Sequence, residues 1–219
     1  MRNKILSKKS QYIHDLFSIT DTDVVATHQL IEDDISLMQL SLMEGQILQL
    51  LIKMNNIKSI IEIGTFVGSS AICMVKALPK DGHIYTIEKN TTNAKLAEDN
   101  FKKYNLSNNI TVINDTGISA LNKLTNMSPF DMIFIDANKS GYCDYLDWAE
   151  LNIKKSGLIV ADNTLLFGTV YSNDNVNKKV SKATINKMLS FNKRLSDKNK
   201  YLTTLLPTEE GMTIALKLF

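Results

Sequence analysis

Residues 59–70 read Ser59-Ile60-Ile61-Glu62-Ile63-Gly64-Thr65-Phe66-Val67-Gly68-Ser69-Ser70: an apolar run, two glycines four apart, then serines opening a helical stretch. Such a run, interrupted only by Glu62, suits a strand buried on both faces. Glycines at its end let backbone approach a ligand ahead of a helix whose N-terminus serine would cap. An ordinary tight strand-to-helix turn is the competing reading. The spacing is GxxxG and not GxGxxG, so the dinucleotide fingerprint is absent.

The same texture recurs downstream in HIYTIE (83–88), ITVIN (110–114), FDMIFID (130–136) and GLIVAD (157–162). Between these runs lie stretches of helical period at 69–78, 91–104, 118–124 and 142–155, which predict crossover helices. A last helix at about 176–195 precedes YLTTLLP and GMTIALKLF, joined by Thr208-Glu209-Glu210-Gly211 as an antiparallel hairpin. With right-handed crossovers the fold is α/β: a doubly wound, Rossmann-like seven-stranded sheet with helices on both faces and a closing antiparallel C-terminal hairpin. Ahead of it, helical spacing runs through Ile13, Leu16, Phe17, Leu30, Ile31, Ile35, Leu40, Ile47, Leu48, Leu51 and Ile52. The expectation is one domain over 1–219, with N-terminal helices (1–55) covering the crevice of a core at 56–219.

Composition excludes whole classes. The 219 residues are 44% hydrophobic and 22% charged with formal net charge +2, which argues against disorder, a membrane span or an obvious polyanion partner. Cys73 and Cys143 lie far apart without a CxxC pair, so buried thiols in a reducing compartment are expected. The first residues, MRNKILSKKSQYIHDLF, lack the continuous apolar core of a secretory signal, which points to the cytoplasm. There are 23 Lys and 21 Asn against Arg2 and Arg194 alone, a bias that reads as genomic and discounts lysine abundance as chemistry.

Residues after each strand carry the functional reading. Glu88, 24 positions past Gly64, stands where nucleoside-binding α/β folds place an acid on ribose hydroxyls, or else caps the next helix. Asn114-Asp115-Thr116-Gly117 is small and polar enough to flank a base edge, or to be a plain turn. Asp136 ends the fourth run and Asp162-Asn163 the fifth. If those strands pair, three oxygen donors converge and favour a hard cation, Mg²⁺, Mn²⁺ or Ca²⁺; otherwise they are acidic loop caps. Lys139, three residues past Asp136, would project into the same crevice, where a divalent cation would favour its neutral, basic form.

Glu62–Ala71, Phe130–Lys139 and Gly157–Asn163 together resemble the cation-dependent O-methyltransferases of the catechol and caffeoyl-CoA type. The resemblance runs from about Met38 to the end, and the three long motifs in order make it specific. It implies S-adenosylmethionine (SAM) as cofactor, with Met38, Leu40, Glu62, Gly64, Phe66, Gly68, Ser70, Glu88, Asp115, Thr116 and Asp136 around it. It further implies Asp136, Asp162 and Asn163 as ligands of a divalent cation, and Lys139 as general base. The implied reaction is deprotonation of a hydroxyl beside a second oxygen, then direct methyl transfer. Departures from the family pattern are Asn114 for a usual glycine, Asn138 for an acidic or aromatic residue, and Ser156 before Gly157.

The resemblance also implies a small hydroxylated acceptor and a homodimer. Phe167 and Tyr171 either sandwich a planar acceptor or anchor their loop, while Trp148 and the methionines read as filler. The rivals are methylation of a hydroxylated tRNA nucleoside, an inert nucleoside-binding protein, and a dehydrogenase. Retention of Lys139 and the three oxygen donors argues against an inert protein, and the missing fingerprint argues against a dehydrogenase. Residues 175–206 carry Lys178, Lys179, Lys182, Lys187, Lys193, Arg194, Lys198 and Lys200 against Asp197, a net of +7 that leaves −5 elsewhere. That segment would attract phosphates, or is a solvated lysine-rich helix.

Overall fold

Ile-rich runs and helical stretches alternate along the chain as strands and crossover helices. The computed structural model describes residues 7–28, 39–172, 180–208 and 210–219. Among them, α1 (Lys8–Phe17), α2 (Thr22–His28) and α3 (Leu42–Met54) precede the first strand. A capping box starts α3: Ser41 Oγ accepts from Glu44 N at 3.2 Å, and Ser41 N donates back to Glu44 Oε2 at 2.9 Å. Leu48 and Ile52 of α3 are buried on the core, whereas Met43, Leu50 and Met54 are exposed. Lys76 pairs with Asp21 and Asp23 and ties α2 to the first crossover helix. Leu30, Ile31, Ile35 and Met38 lie outside the described residues.

The core then alternates β1 (Ser59–Ile63), α4 (Ser69–Val75), β2 (His83–Glu88), α5 (Thr91–Lys103), β3 (Ile110–Asn114), α6 (Gly117–Leu124), β4 (Phe130–Ile135), α7 (Tyr142–Asn152) and β5 (Ile153–Ala161). After it come α8 (Lys182–Leu195), β6 (Tyr201–Leu206) and β7 (Met212–Lys217). The strands form one sheet of order β3-β2-β1-β4-β5-β7-β6, parallel except where β7 runs antiparallel to both neighbours. The doubly wound order and closing hairpin are as expected. Strand order reverses between β1 and β4, and a crevice opens outside the carboxyl ends of strands at such a switch point. Apolar side chains fill both faces: Ile60, Phe134 and Val160 on one, Ile61, Ile133 and Ile159 on the other. No helix of the described residues is long and apolar enough to cross a membrane.

Some local expectations are corrected. The helix expected at 142–155 stops at Asn152, because Ile153 already pairs with Phe130 and starts β5 four residues before Gly157; a register shift between Phe130 and Met132 absorbs the irregularity. Helix α4 is not capped by serine: Gly68, at φ +88°, is its N-cap without a side-chain bond, and Ser69 and Ser70 lie inside the helix. Helix α8 runs Lys182–Leu195 behind the N-cap Ser181, inside the span expected for it. Of the thiols, Cys73 is buried but Cys143 only half-buried.

Candidate active site

Parallel register sets the first half of the site. Glu62 of β1 lies opposite Thr86 of β2, both fully buried. Ser70 Oγ donates to Glu62 Oε1 at 2.5 Å, Thr86 Oγ1 donates to Glu62 Oε2, and Thr65 Oγ1 lies 2.6 Å from the Thr86 hydroxyl. Burial pushes the Glu62 carboxyl up to about 7; the two hydroxyls pull it down, and Asp136 and Glu88 add to the rise. Among the described residues the side chains bonded to Glu62 are the hydroxyls of Ser70 and Thr86.

The loop after β1 is shaped by close approach. Gly64 has φ +104°, and a Cβ there would sit 2.0 Å from the Asp136 carbonyl oxygen. Phe66, half-buried, is also left-handed at φ +50°, and its N–H donates to Glu88 Oε2 at 2.9 Å. Glu88 Oε1 accepts from Asn90 N at 2.9 Å, so one carboxylate joins the loops after β1 and β2. Asp115, after β3, takes Lys123 Nζ, Ser119 Oγ and Thr116 N; these, the lysine first, pull its carboxyl down to about 2. A shallow, partly open pocket lined by Leu40, Ser41, Ser69, Ser70 and Cys73 brings Leu40 beside the serine that holds Glu62. Met38 lies outside the described residues.

The second half rests on β4 and β5. Ile135 pairs with Ala161, and Asp162 N donates to Ile135 O at 3.0 Å, so Asp136 and Asp162 follow neighbouring strand ends. Asp162 is fully buried and its Oδ1 accepts from Asn163 N at 2.7 Å; Asn163 turns the chain at φ +56°. Lys139, expected at the start of the next helix, sits in a 3₁₀ turn ahead of α7 and reaches Asp136 Oδ1 at 3.2 Å. Its Nζ also donates to Tyr142 Oη at 2.7 Å, and Tyr142 Oη donates to Asp162 O at 2.9 Å. Burial, then Asp136 and Asp162, hold the Tyr142 phenol well above its ordinary range. Tyr145 packs against Gly117 and Gly141, and its hydroxyl donates to Asn138 Oδ1 at 3.0 Å.

Among the described residues no three or more His, Cys, Asp or Glu side chains cluster tightly enough to hold a metal. The donor set that fits a cation is two carboxylates and an amide, all oxygen, which suits a hard divalent ion with room for other ligands. The loop beyond it is fastened to the β6–β7 turn: Thr164 N donates to Gly211 O, Leu165 N to Glu210 O, and Phe167 N to Glu210 Oε2. Phe167 and Tyr171 are both exposed.

Sequence reading missed Thr86, Tyr142 and Glu210. Thr86 was available from the alternation of β2 against Glu62, whereas Tyr142 lies in a stretch of helical period with no signal of its own. Glu210 had no local signal, because the hairpin alone brings it there.

An O-methyltransferase family model matches residues 9–218. A catechol O-methyltransferase of Niastella koreensis is 36% identical over 197 residues, covering 88% of this chain and 89% of that protein. Among solved structures, the O-methyltransferase TomG from Streptomyces achromogenes, in complex with SAM, superposes with TM-score 0.83 at 26% identity over 95% of each chain. An O-methyltransferase from Bacillus cereus, in complex with SAH, gives TM-score 0.81 at 25% identity over 94% of this chain and 96% of that one. With a family model over nearly the whole chain, a 36% identical relative covering 88% of it and the same fold in solved O-methyltransferases, the chain belongs to the O-methyltransferase family.

Proposed function

We propose that this chain transfers a methyl group from SAM to a hydroxyl of a small acceptor bearing a second oxygen beside it, as in a catechol, with a divalent cation, Mg²⁺ first, held by Asp136, Asp162 and Asn163. The observation that carries this reading is the convergence of Asp136, Asp162 and Lys139 at two paired strand ends, Lys139 Nζ lying 3.2 Å from Asp136 Oδ1. A bound cation would supply charge to draw two acceptor oxygens together and ease loss of the hydroxyl proton. Lys139 receives that proton. Glu62 holds the cationic amino-acid end of the cofactor, with Gly64, Phe66, Gly68 and Ser70 shaping the pocket and Leu40 alongside; Glu88 faces the ribose, and Asp115 and Thr116 the base.

Methyl transfer to 3,4-dihydroxybenzoate is expected to fall to background in EDTA and return with Mg²⁺, and Asp136→Ala is expected to abolish the restored rate. EDTA-insensitive turnover would remove the cation from the reading.

Glu62 makes cofactor binding depend on pH. The folded chain holds this proton more tightly than the unfolded chain does, so the stability that protonation contributes is complete below the ordinary glutamate value. It is lost as pH rises through about 7. The loss is bounded at about 3 kcal/mol. Ligand-free protein should therefore melt lower at pH 8 than at pH 5.5, while the stabilisation given by S-adenosylhomocysteine grows over that interval. Thermal melts of Glu62→Gln should lack both slopes; a mutant with the wild-type slopes would clear Glu62 of the role.

A small acceptor is favoured over tRNA because the basic segment is partly committed. Arg194 pairs with Asp147 at 2.6 Å and Glu150 at 3.1 Å, and Lys187 Nζ donates to Ser140 O at 2.8 Å. Lys178 and Lys179 lie outside the described residues. The reading also includes one catalytic domain over 1–219, acting in the cytoplasm as a homodimer. Exposed Met43, Leu50 and Met54 on α3 support the dimer, and a monomer mass by light scattering would refute it.

A further inference from the structure

We propose that Tyr142 is the positioning residue for Lys139: its buried hydroxyl fixes the direction of the lysine amine. The inference rests on the reading of Lys139 as the base. Tyr142 is fully buried, its ring meets Phe191 edge-on at 5.2 Å between centroids, and its Oη lies 2.9 Å from Asp162 O and 3.3 Å from Ile135 O. A phenol has one hydrogen, and here two strand-end carbonyls compete for it. The oxygen is thereby left to accept, and the donor that reaches it is Lys139 Nζ, at 2.7 Å.

An amine able to take a proton carries two N–H groups and one lone pair. Asp136 Oδ1 and Tyr142 Oη supply two acceptors, at 3.2 Å and 2.7 Å. Both N–H groups are then engaged, and the lone pair is left facing the third direction. When the acceptor's O–H bond breaks, its proton forms the new N–H bond at Lys139. The oxygen electron pair forms the bond to the methyl carbon, and the C–S pair departs onto sulfur. Without the phenol, the lysine keeps one anchor and swings about it, a loss of orientation that proton transfer registers directly. The phenol also joins the ends of β4 and β5 through Ile135 O and Asp162 O, so the base and the oxygen donors share one reference point.

The test measures kcat and KM with labelled SAM, Mg²⁺ and 3,4-dihydroxybenzoate. Tyr142→Phe is expected to lower kcat roughly tenfold or more, with both KM values and S-adenosylhomocysteine affinity within about twofold. In a Lys139→Met background the same change should cost nothing further, since the residue it positions is gone. Phe191→Leu, which loosens the same packing but keeps the hydroxyl, should leave kcat near wild type. The proposal is overturned if Tyr142→Phe turns over normally, if its loss is undiminished beside Lys139→Met, if Phe191→Leu loses as much, or if Tyr142→Phe is not recovered folded. Wild-type protein inactive on the acceptor, or a fully active Lys139→Met, would instead defeat the underlying reading.

Discussion

Lys139→Met is expected to lower kcat by roughly 10² or more, the share that a positioned proton acceptor supplies, and to leave S-adenosylhomocysteine binding intact. Methionine keeps the length and apolar stem of lysine but offers no lone pair of comparable basicity. The side chain is only 16% exposed and stands on a 3₁₀ turn held through Tyr142 and, by way of Asn138, through Tyr145, so water has little room to replace it. The cofactor contacts proposed above belong to the loops after β1, β2 and β3, which the substitution does not touch. Calorimetric binding of S-adenosylhomocysteine beside turnover of 3,4-dihydroxybenzoate separates the two effects. A mutant as fast as wild type across pH would show that the proton leaves by another route.

Gly64→Ala is expected to damage both the fold and the proposed cofactor loop. At φ +104° an L side chain is strained before any contact is considered, and the new Cβ would stand 2.0 Å from the backbone oxygen of Asp136. Neither neighbour can yield cheaply. Gly64 N donates to Ile87 O at 3.0 Å, and Asp136 N to Ile63 O at 2.9 Å, so both strand ends are pinned. The expected cost is roughly 4 kcal/mol or more. It should appear as a lower denaturant midpoint with an unchanged slope, together with lost S-adenosylhomocysteine binding as the Glu62 loop shifts. A wild-type midpoint and affinity would mean the loop has slack that these contacts do not reveal.

The sheet was legible because each strand carries an Ile-, Val- or Leu-rich run and the breaks fall at glycine, proline and polar clusters; the paired ends at Asp136 and Asp162 follow from that order. What was not legible depends on partners distant in sequence. Ile153 extends β5 only because Phe130 stands beside it, and no signal between Asn152 and Gly157 announces the change. Ser70 looks like a helix cap, yet its hydroxyl serves Glu62, eight residues back, once Gly68 has opened the helix unaided. Tyr142 falls within a stretch of helical period, and only the carbonyls of Ile135 and Asp162 show that its hydroxyl has work to do.

The strap from Glu210 and Gly211 to residues 164–167 has a bearing on synthesis. The segment that follows Asp162 and Asn163 waits for partners more than forty positions further along, whereas Glu62, Glu88 and Asp136 are set by strands already made. On the ribosome, domains form as units while the chain emerges. The unit therefore cannot close until residues 210 and 211 have emerged, and the loop after Asp162 and Asn163 is the part that waits for them.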